Sequence, residues 1–296
     1  MVVDRPTGAD LAFKVINTSI VTVFFLVVAG PLLFVLAASF SNSMAVMQGR
    51  VWFWPVGFHL EGYRAVFRHP LIMSGFANSF FYMGVGTALN VVLTVLAAYP
   101  LSRKDFVDRN LFMGLFVFTF MFNGGLIPTY LVVRNLGLIN TRAALILPVA
   151  VGVWNVIITR TYFMHTIPHE LLEAARMDGC RDFRFLGSVV LPLSGPILAV
   201  ITLFYAVGHW NQFFQALLYL RDQSKFPLQL ILRDILVENQ VDAQMTPDVE
   251  TLRQRQQLRE LLKYSLIIVA SAPLLVLYPF VQKYFVQGIM IGSLKG

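Results

Sequence analysis

The sequence predicts an all-α membrane protein with six transmembrane helices. Of its 296 residues, 57% are hydrophobic and only 13% are charged, and the mean hydropathy is +0.67. A soluble domain carries about 25% charged residues. Apolar runs near the length of about 20 residues that crosses a bilayer lie at residues 15–40, 76–101, 111–133, 143–163, 192–220 and 266–286. These runs leave no room for a separate soluble catalytic domain, so we expect one transmembrane domain over residues 1–296.

The first apolar run is interpreted as a span, although the small residues Ala37, Ala38 and Ser39 near its end are typical of a signal-peptide cleavage site. The apolar core of a signal peptide has about 7–15 residues, and this run is longer. The net charge is +7, but the basic residues lie in loops beside the spans. Membrane lipid, and not nucleic acid, is therefore the expected partner of these charges. The single cysteine, Cys180, excludes an intramolecular disulfide framework.

The basic residues favour an N-terminus on the cytoplasmic side. Residues 1–14, 102–110, 164–191 and the tail from 284 would then lie inside, together with Arg103, Lys104, Arg109, Arg176, Arg181 and Arg184. The opposite loop, residues 221–263, balances seven Lys and Arg with seven acids. Loops of that length contribute little to orientation.

The loop between the fourth and fifth spans, residues 168–192, contains the signals of a short helix. Pro168 suits the first helical position, Glu170 suits the first turn, and Gly179 suits the left-handed position after a helix. We therefore predict a helix over 168–178, with Glu173 and Arg176 paired at i, i+3. A second short helical stretch, with apolar side chains, is expected to stop at residues 191–192.

The predicted helix has two interpretations. Leu171, Ala174, Ala175 and Asp178 share one face, and the two alanines would let another backbone approach closely. The segment is either an amphipathic hairpin on the lipid surface or a helix that fits a groove on a cytoplasmic partner. The residues by themselves favour neither.

A resemblance bears on this choice. The sequence Glu173-Ala174-Ala175, three residues, Gly179, nine residues, then Val189-x-Leu191-Pro192 resembles the EAA loop of ATP-binding-cassette (ABC) importer permeases. Val189 stands where that family often has Ile. Residues 78–100, the pair Trp210-Asn211, and the tail segments 278–280 and 292–296 are similar to the oligosaccharide-importing branch, carbohydrate uptake transporter class 1. Within it, they are similar to the second permease of complex-polysaccharide systems.

The resemblance implies the type I ABC importer permease fold, a single permease domain, and an inner-membrane location with both termini cytoplasmic. It implies a homologous second permease, two ATP-binding subunits and an extracytoplasmic sugar-binding protein as partners. No glycine in the chain is followed by lysine, so a GxxxxGK[ST] phosphate loop is absent from the sequence. We therefore expect this subunit to be no enzyme and to hold no cofactor, with ATP and Mg bound by the partner ATPase. Uronic-acid oligomers such as alginate or pectin fragments are the cargo that the subfamily suggests.

The residues that the resemblance assigns to ATPase coupling are Glu173, Ala174, Ala175, Asp178, Gly179, Leu191 and Pro192, and the terminal residues 292–296 are expected near the ATPase interface. Closure of an ATPase dimer would pull the helix 168–178 and switch the spans from outward to inward access.

The sugar pathway is predicted from polar and aromatic residues within spans, which tend to face a cavity or another helix. The candidates are Asn90, Asn123, Trp154, Asn155, His209, Trp210, Asn211, Gln212 and Gln215. Hydrogen bonding between helices and interface anchoring by tryptophan are the alternatives. No metal site is expected, because Pro168 disfavours helical geometry between His165 and His169.

The outer loop, residues 221–263, is expected to form a helix over 249–263 that is capped at Thr246. The resemblance suggests that this loop touches the binding protein. Two rival functions make different predictions. An ion-coupled secondary carrier predicts acids within the spans, and none of the six runs contains one. A membrane-embedded enzyme acting on glycans predicts converging Asp, Glu or His, which only the loop at 168–192 gathers.

Overall fold

The computed structural model describes residues 8–241, 262–279 and 282, and every regular element in this part of the chain is helical, as predicted. The helices, labelled in chain order, are α1 Gly8–Ser39, α2 Ser43–Met47, α3 Glu61–Arg68, α4 Pro70–Ser102, α5 Arg109–Met121, α6 Leu126–Asn135, α7 Ala143–Val149, α8 Val153–Thr166, α9 His169–Met177, α10 Asp182–Leu193, α11 Gly195–Trp210, α12 Phe214–Tyr219, α13 Leu228–Val241 and α14 Leu262–Pro279.

Three of the described helices, α1, α4 and α14, are long and apolar enough to cross a membrane. The number rises to six if each of three bent pairs, α5 with α6, α7 with α8, and α10 with α11, forms one span. The helix α4 includes a π-helical turn at Tyr82–Gly86.

Three of the predicted spans are not straight helices. The run 111–133 bends by 112° between α5 and α6, the run 143–163 by 49° between α7 and α8, and the segment before the fifth span by 85° between α10 and α11. Local chemistry accounts for the first bend. Gly125 has φ +84°, and its N–H donates to Asn123 Oδ1 at 2.9 Å, so the chain forms a turn where hydropathy predicts a continuous helix. The fifth run, residues 192–220, is also not one continuous helix, because α11 ends at Trp210 and a break separates it from α12.

The described residues divide into two compact units, one within residues 1–69 and 235–271 and the other within 70–234 and 272–296. In the first unit, the end of α1 and the start of α14 pack together. Phe34 meets Tyr264 edge-on with ring centroids 5.8 Å apart, and Ser265 Oγ donates to the Ser39 carbonyl at 3.4 Å. The prediction of one domain over 1–296 stays a prediction.

The second unit contains a core that joins several apolar helices to the loop at 168–192. Its buried members include Ala98 of α4, Val156 and Phe163 of α8, and Ile201 of α11. Leu172, Phe185, Leu186 and Val190 of the loop belong to the same cluster. The loop helices are therefore packed into the body of this unit.

The outer loop is described only in part. Its start is held by Asn140, whose Oδ1 accepts from the N–H groups of Arg221 and Asp222, each at 3.1 Å. Asn78 Nδ2 donates to the Ser224 carbonyl at 2.7 Å. The predicted cap at Thr246 and most of the predicted helix 249–263 lie outside the described residues, as do residues 292–296.

Candidate functional site

The helix α9 occupies the position predicted for the coupling helix, with a small shift at its start. Pro168 is not the first helical residue, because its ψ of 144° is extended and makes it the cap that precedes His169. At the other end, Gly179 has φ +73°. Its N–H donates to the Arg176 carbonyl at 2.9 Å, and the Cys180 N–H donates to the Ala175 carbonyl at 2.8 Å. These are the two hydrogen bonds of a Schellman motif, so the left-handed glycine predicted from sequence is confirmed.

The helix α9 has one buried side and one exposed side. Leu172 is buried in the core of the second unit, and Ala175 packs against that core half-buried. Glu173, Ala174 and Met177 are exposed on α9, Met177 at 89%, and Phe183 at the start of α10 is 81% exposed. Exposed apolar side chains beside a packed helix fit either of the two interpretations of this loop, contact with the lipid surface or with a cytoplasmic partner. The predicted face is thus divided, since Ala174 points outward and Ala175 inward.

An ion-pair cluster connects the loop after α4 to the helices α9 and α10. We call Tyr99, Arg103, Asp105, Arg176 and Asp182 the Asp105 cluster. Asp105 accepts two hydrogen bonds from Arg103, Nε to Oδ1 at 2.9 Å and Nη2 to Oδ2 at 2.6 Å, and a third from Arg176 Nη2 to Oδ2 at 2.6 Å. Arg103 also donates to Asp182 and, at 3.0 Å, to the Tyr99 hydroxyl. The side chain of Arg103 is only 11% exposed.

The cluster fixes the charge state of its members. The hydrogen bond from Arg103 lowers the pKa of Asp105 well below its usual range, and Arg176 contributes in the same direction although partial burial opposes it. The hydrogen bond to Asp105 also raises the pKa of Arg103. The predicted pair of Glu173 with Arg176 is wrong, because Arg176 turns to Asp105 while Glu173 Oε1 lies 3.6 Å from His169 Nε2. Sequence reasoning missed Asp105, since its partner Arg176 lies 71 positions along the chain.

A second region of interest is a cavity of about 430 Å³ between α4, the α7–α8 break and the end of α11. Five of the predicted pathway residues line it, together with Val149, Gly152, Phe204, Tyr205 and Gly208: they are Asn90, His209, Asn211, Gln212 and Gln215. Polar groups within apolar helices are costly unless they meet partners or line a cavity. The structure thus brings the span-two asparagine and the span-five polar group together.

A hydrogen-bonded chain crosses the wall of this cavity. Asn90 Nδ2 lies 3.1 Å from the Val149 carbonyl and 3.3 Å from His209 Nε2. His209 Nδ1 lies 3.4 Å from Gln212 Oε1, and Gln212 Nε2 donates to the Leu145 carbonyl at 2.8 Å. Since an amide N–H₂ faces Nε2 and an amide oxygen faces Nδ1, the partners assign the neutral tautomer with the proton on Nδ1.

Close backbone approach makes this arrangement possible. A Cβ on Gly86 would lie 2.4 Å from His209 Nε2. Tyr205, which the sequence analysis did not select, shares a hydrogen bond with Thr94 Oγ1 at 2.7 Å and accepts one from the Gly152 N–H at 2.9 Å. Tyr205 therefore ties α11 to α4 and to the start of α8.

The remaining pathway candidates lie elsewhere. Trp210 is fully buried, with its ring centroid 6.1 Å from Phe76 and 5.3 Å from Phe80, and the sugar-facing role given to it stays a prediction. Asn123 forms the turn between α5 and α6. Trp154 is 55% exposed, and Asn155 is buried beside Gly152 without lining the cavity.

In the part of the chain that the structure describes, the apolar helices of spanning length, the packed loop helix with an exposed face and the cavity with polar lining fit a membrane transport permease subunit. Residues 90–291 match the family described as "Binding-protein-dependent transport system inner membrane component", and the chain belongs to that family.

Known relatives agree with this assignment. The chain is 40% identical over 285 residues to the polygalacturonan/rhamnogalacturonan transport system permease protein YtcP of Bacillus subtilis, covering 96% of this chain and 98% of that protein. It is 40% identical over 266 residues to protein LplC of the same organism, covering 90% and 89%. It also resembles a chain in the crystal structure of a bacterial ABC transporter involved in the import of the acidic polysaccharide alginate. That match has a TM-score of 0.85 at 33% identity and covers 94% of this chain and 98% of that one.

Proposed function

We propose that this chain pairs with a homologous permease, two ATP-binding subunits and an extracytoplasmic binding protein to import an oligosaccharide by alternating access. The exposed side of α9 would dock on the ATPase, and the cavity near His209 would form part of the sugar pathway. The observation that carries the proposal is the two-sided packing of α9. Leu172 sits in the core shared with α4, α8 and α11, while Glu173 and Met177 face outward.

Uronic-acid oligosaccharides are the proposed cargo. The support is that one relative is named as a polygalacturonan/rhamnogalacturonan permease and that another belongs to an alginate importer. Polygalacturonan and alginate share carboxylate-bearing sugars. Uptake of radiolabelled uronic-acid oligomers by cells that express the complete transporter tests this choice, with a neutral oligosaccharide of equal length as competitor. The proposed cargo would be rejected if the neutral oligosaccharide blocked uptake of the label and an unlabelled uronic-acid oligomer did not.

Glu173 provides a direct test of coupling. Its side chain is 67% exposed and meets only His169 among the contacts described above, so Glu173→Ala should leave the fold intact. We expect the variant to lose sugar-stimulated ATP hydrolysis because a charged contact to the ATPase is removed. Glu170→Ala is the matched control, since Glu170 is an exposed acid on the same helix. Normal stimulation in Glu173→Ala, or equal loss in the control, would contradict the proposed role.

The sugar pathway is tested at Asn211. Its side chain lines the cavity and donates to the Val207 carbonyl at 3.0 Å, so it is not a core packing residue. We expect Asn211→Ala to lower the transport rate while the amount of assembled complex stays constant. Asn110→Ala, at an exposed site on α5, is the control. An unchanged transport rate in Asn211→Ala would mean that Asn211 only stabilises the end of α11 and does not contact the sugar.

Cytoplasmic termini and a cytoplasmic α9 follow from the proposal. Met177 is 89% exposed, and Cys180 is the chain's single cysteine. In vesicles that contain the permease without the ATPase, Met177→Cys in a Cys180→Ser background should react with a membrane-impermeant maleimide when the vesicles are inside-out and not when they are right-side-out. The opposite result would invert the orientation.

A further inference from the structure

A row of exposed aromatic side chains follows the first apolar helix. Trp52, Phe53, Trp54 and Phe58 are 71%, 56%, 83% and 67% exposed, and we call residues 52–58 the aromatic loop. Single exposed apolar residues are common, but a contiguous set of this size marks an interaction surface. All of it belongs to the first compact unit.

The aromatic loop is held rigidly against the end of α1. The Asn42 N–H donates to the Val56 carbonyl, the Val56 N–H to Ser41 Oγ, and the His59 N–H to the Phe40 carbonyl, each at 3.0 Å. The rings of Phe40 and Phe58 stack with centroids 5.5 Å apart. These bonds keep the loop level with the last turn of α1.

This attachment sets the depth of the loop relative to a bilayer. The helix α1 has 32 residues and is apolar enough to cross a membrane, and its surface is exposed along most of its length. The apolar run of α1 continues to Phe40, and the end of an apolar run of spanning length lies near the boundary between hydrocarbon and headgroups. Tryptophan concentrates at that boundary, because its large ring is apolar and its N–H donates to polar groups.

The charges beside the loop match a lipid surface. Arg50 precedes the loop, and Arg64 and Arg68 are exposed on α3, whereas Glu61 is the one acid between residues 40 and 69. Guanidinium groups bind phosphate in bidentate fashion. Aromatic rings with nearby arginines suit a layer of phosphate-bearing headgroups better than they suit water.

We propose that the aromatic loop inserts into the lipid headgroup layer of the leaflet at the C-terminal end of α1 and anchors the first unit there. The partner is the phospholipid surface itself. The inference depends on α1 crossing the membrane and not on the identity of the cargo or on the orientation of the chain.

Tryptophan fluorescence tests the anchor, because the chain has four tryptophans and two lie in the loop. The complete transporter is reconstituted into vesicles as wild type and as the double variant Trp52→Phe, Trp54→Phe. Both substitutions keep an aromatic ring, and the double variant retains Trp154 and Trp210. The difference in emission between the two proteins therefore reports the loop.

Phospholipids brominated near the headgroup end of their acyl chains are expected to remove most of this difference emission, while aqueous iodide removes little of it. Quenching by iodide without quenching by bromolipid would place the loop in water and overturn the proposal. Protection from both quenchers would mean that a protein partner covers the loop, which would also overturn it. If the double variant assembles poorly, Trp54→Phe alone against wild type gives the same comparison for the most exposed ring.

Discussion

Gly179 offers a prediction in which the backbone effect is separable from packing. Its φ of +73° lies in the left-handed region, and a Cβ built there meets no atom within 4 Å. The Cβ of a substituted residue would therefore not clash. The cost of substitution comes from the backbone alone and is about 1–2 kcal/mol for an L-residue.

The series Gly179→Asn, Gly179→Ala and Gly179→Val isolates this cost. Asparagine tolerates the left-handed region, alanine does not, and valine, which is branched at Cβ, tolerates it least. A cost of about 1 kcal/mol corresponds to about a fivefold change in a population, and about 2 kcal/mol to about thirtyfold. Because only the form with the intact turn presents α9 correctly, the apparent affinity for the ATPase should fall by up to these factors.

The measurement is a titration of purified ATPase subunit against the permease pair in nanodiscs, followed by binding and by stimulated ATP hydrolysis. We expect Asn to stay close to wild type, Ala to be weaker and Val to be weakest. An asparagine variant as weak as the alanine variant would refute the backbone explanation. Wild-type affinity in the valine variant would show that the turn is not needed for docking.

Two further predictions concern the Asp105 cluster and the cavity. Asp105→Asn removes the carboxylate that joins Arg103 to Arg176. Because the side chain of Asp105 is 35% exposed, we expect the free energy of unfolding to fall by only about 1–2 kcal/mol. Thermal unfolding in detergent measures this change. Because the pKa of Asp105 is lowered in the folded state, its contribution is present above the unfolded pKa of about 3.9 and is lost as the pH falls below that value toward the folded pKa. The free energy of unfolding of wild type should therefore exceed that of the variant by a constant amount between about pH 7 and pH 5, and this excess should shrink below about pH 4. An excess that grows on acidification would contradict this assignment. Gly86→Ala should cost about 1–3 kcal/mol, because its Cβ would force the His209 ring to move, whereas Gly84→Ala in the same turn meets nothing within 4 Å. Equal unfolding temperatures of these two variants would contradict the described packing.

The sequence predicted those features that depend on neighbouring residues. Apolar runs long enough to span predicted the helical class, and Gly179 predicted the end of α9, since a left-handed turn is a local property. The bend after α5 was missed although Asn123 and Gly125 stood in the sequence, because a long apolar run outweighed a turn signal of a few residues.

Contacts between distant segments could not be predicted from one sequence. Asp105 meets Arg176, and Asn90 meets His209 across 119 positions, and neither pair has a spacing that a local pattern records. The five polar residues line one cavity, and their role in a sugar pathway stays a prediction, whereas Trp210, selected with them as an aromatic residue within a span, lies buried among aromatic rings. Residue type alone does not distinguish a cavity wall from a packed interface.

The π-helical turn Tyr82–Gly86 in α4 has a consequence for how this helix could change in evolution. A π turn accommodates one residue more than the regular helix, and each residue of an α-helix adds about 100° of rotation. The wider turn absorbs that extra residue, so deleting one residue there would restore a regular helix and leave the two halves of α4 in nearly the same relative rotation, whereas a deletion in the regular helix would rotate them by about 100°. Asn78, which holds Ser224, and Asn90, which meets His209, now serve two different neighbours from one helix. A one-residue deletion within the turn would keep both contacts in phase, whereas a deletion elsewhere between the two asparagines would separate them, so this turn is the place where α4 can lose a residue and keep both neighbours.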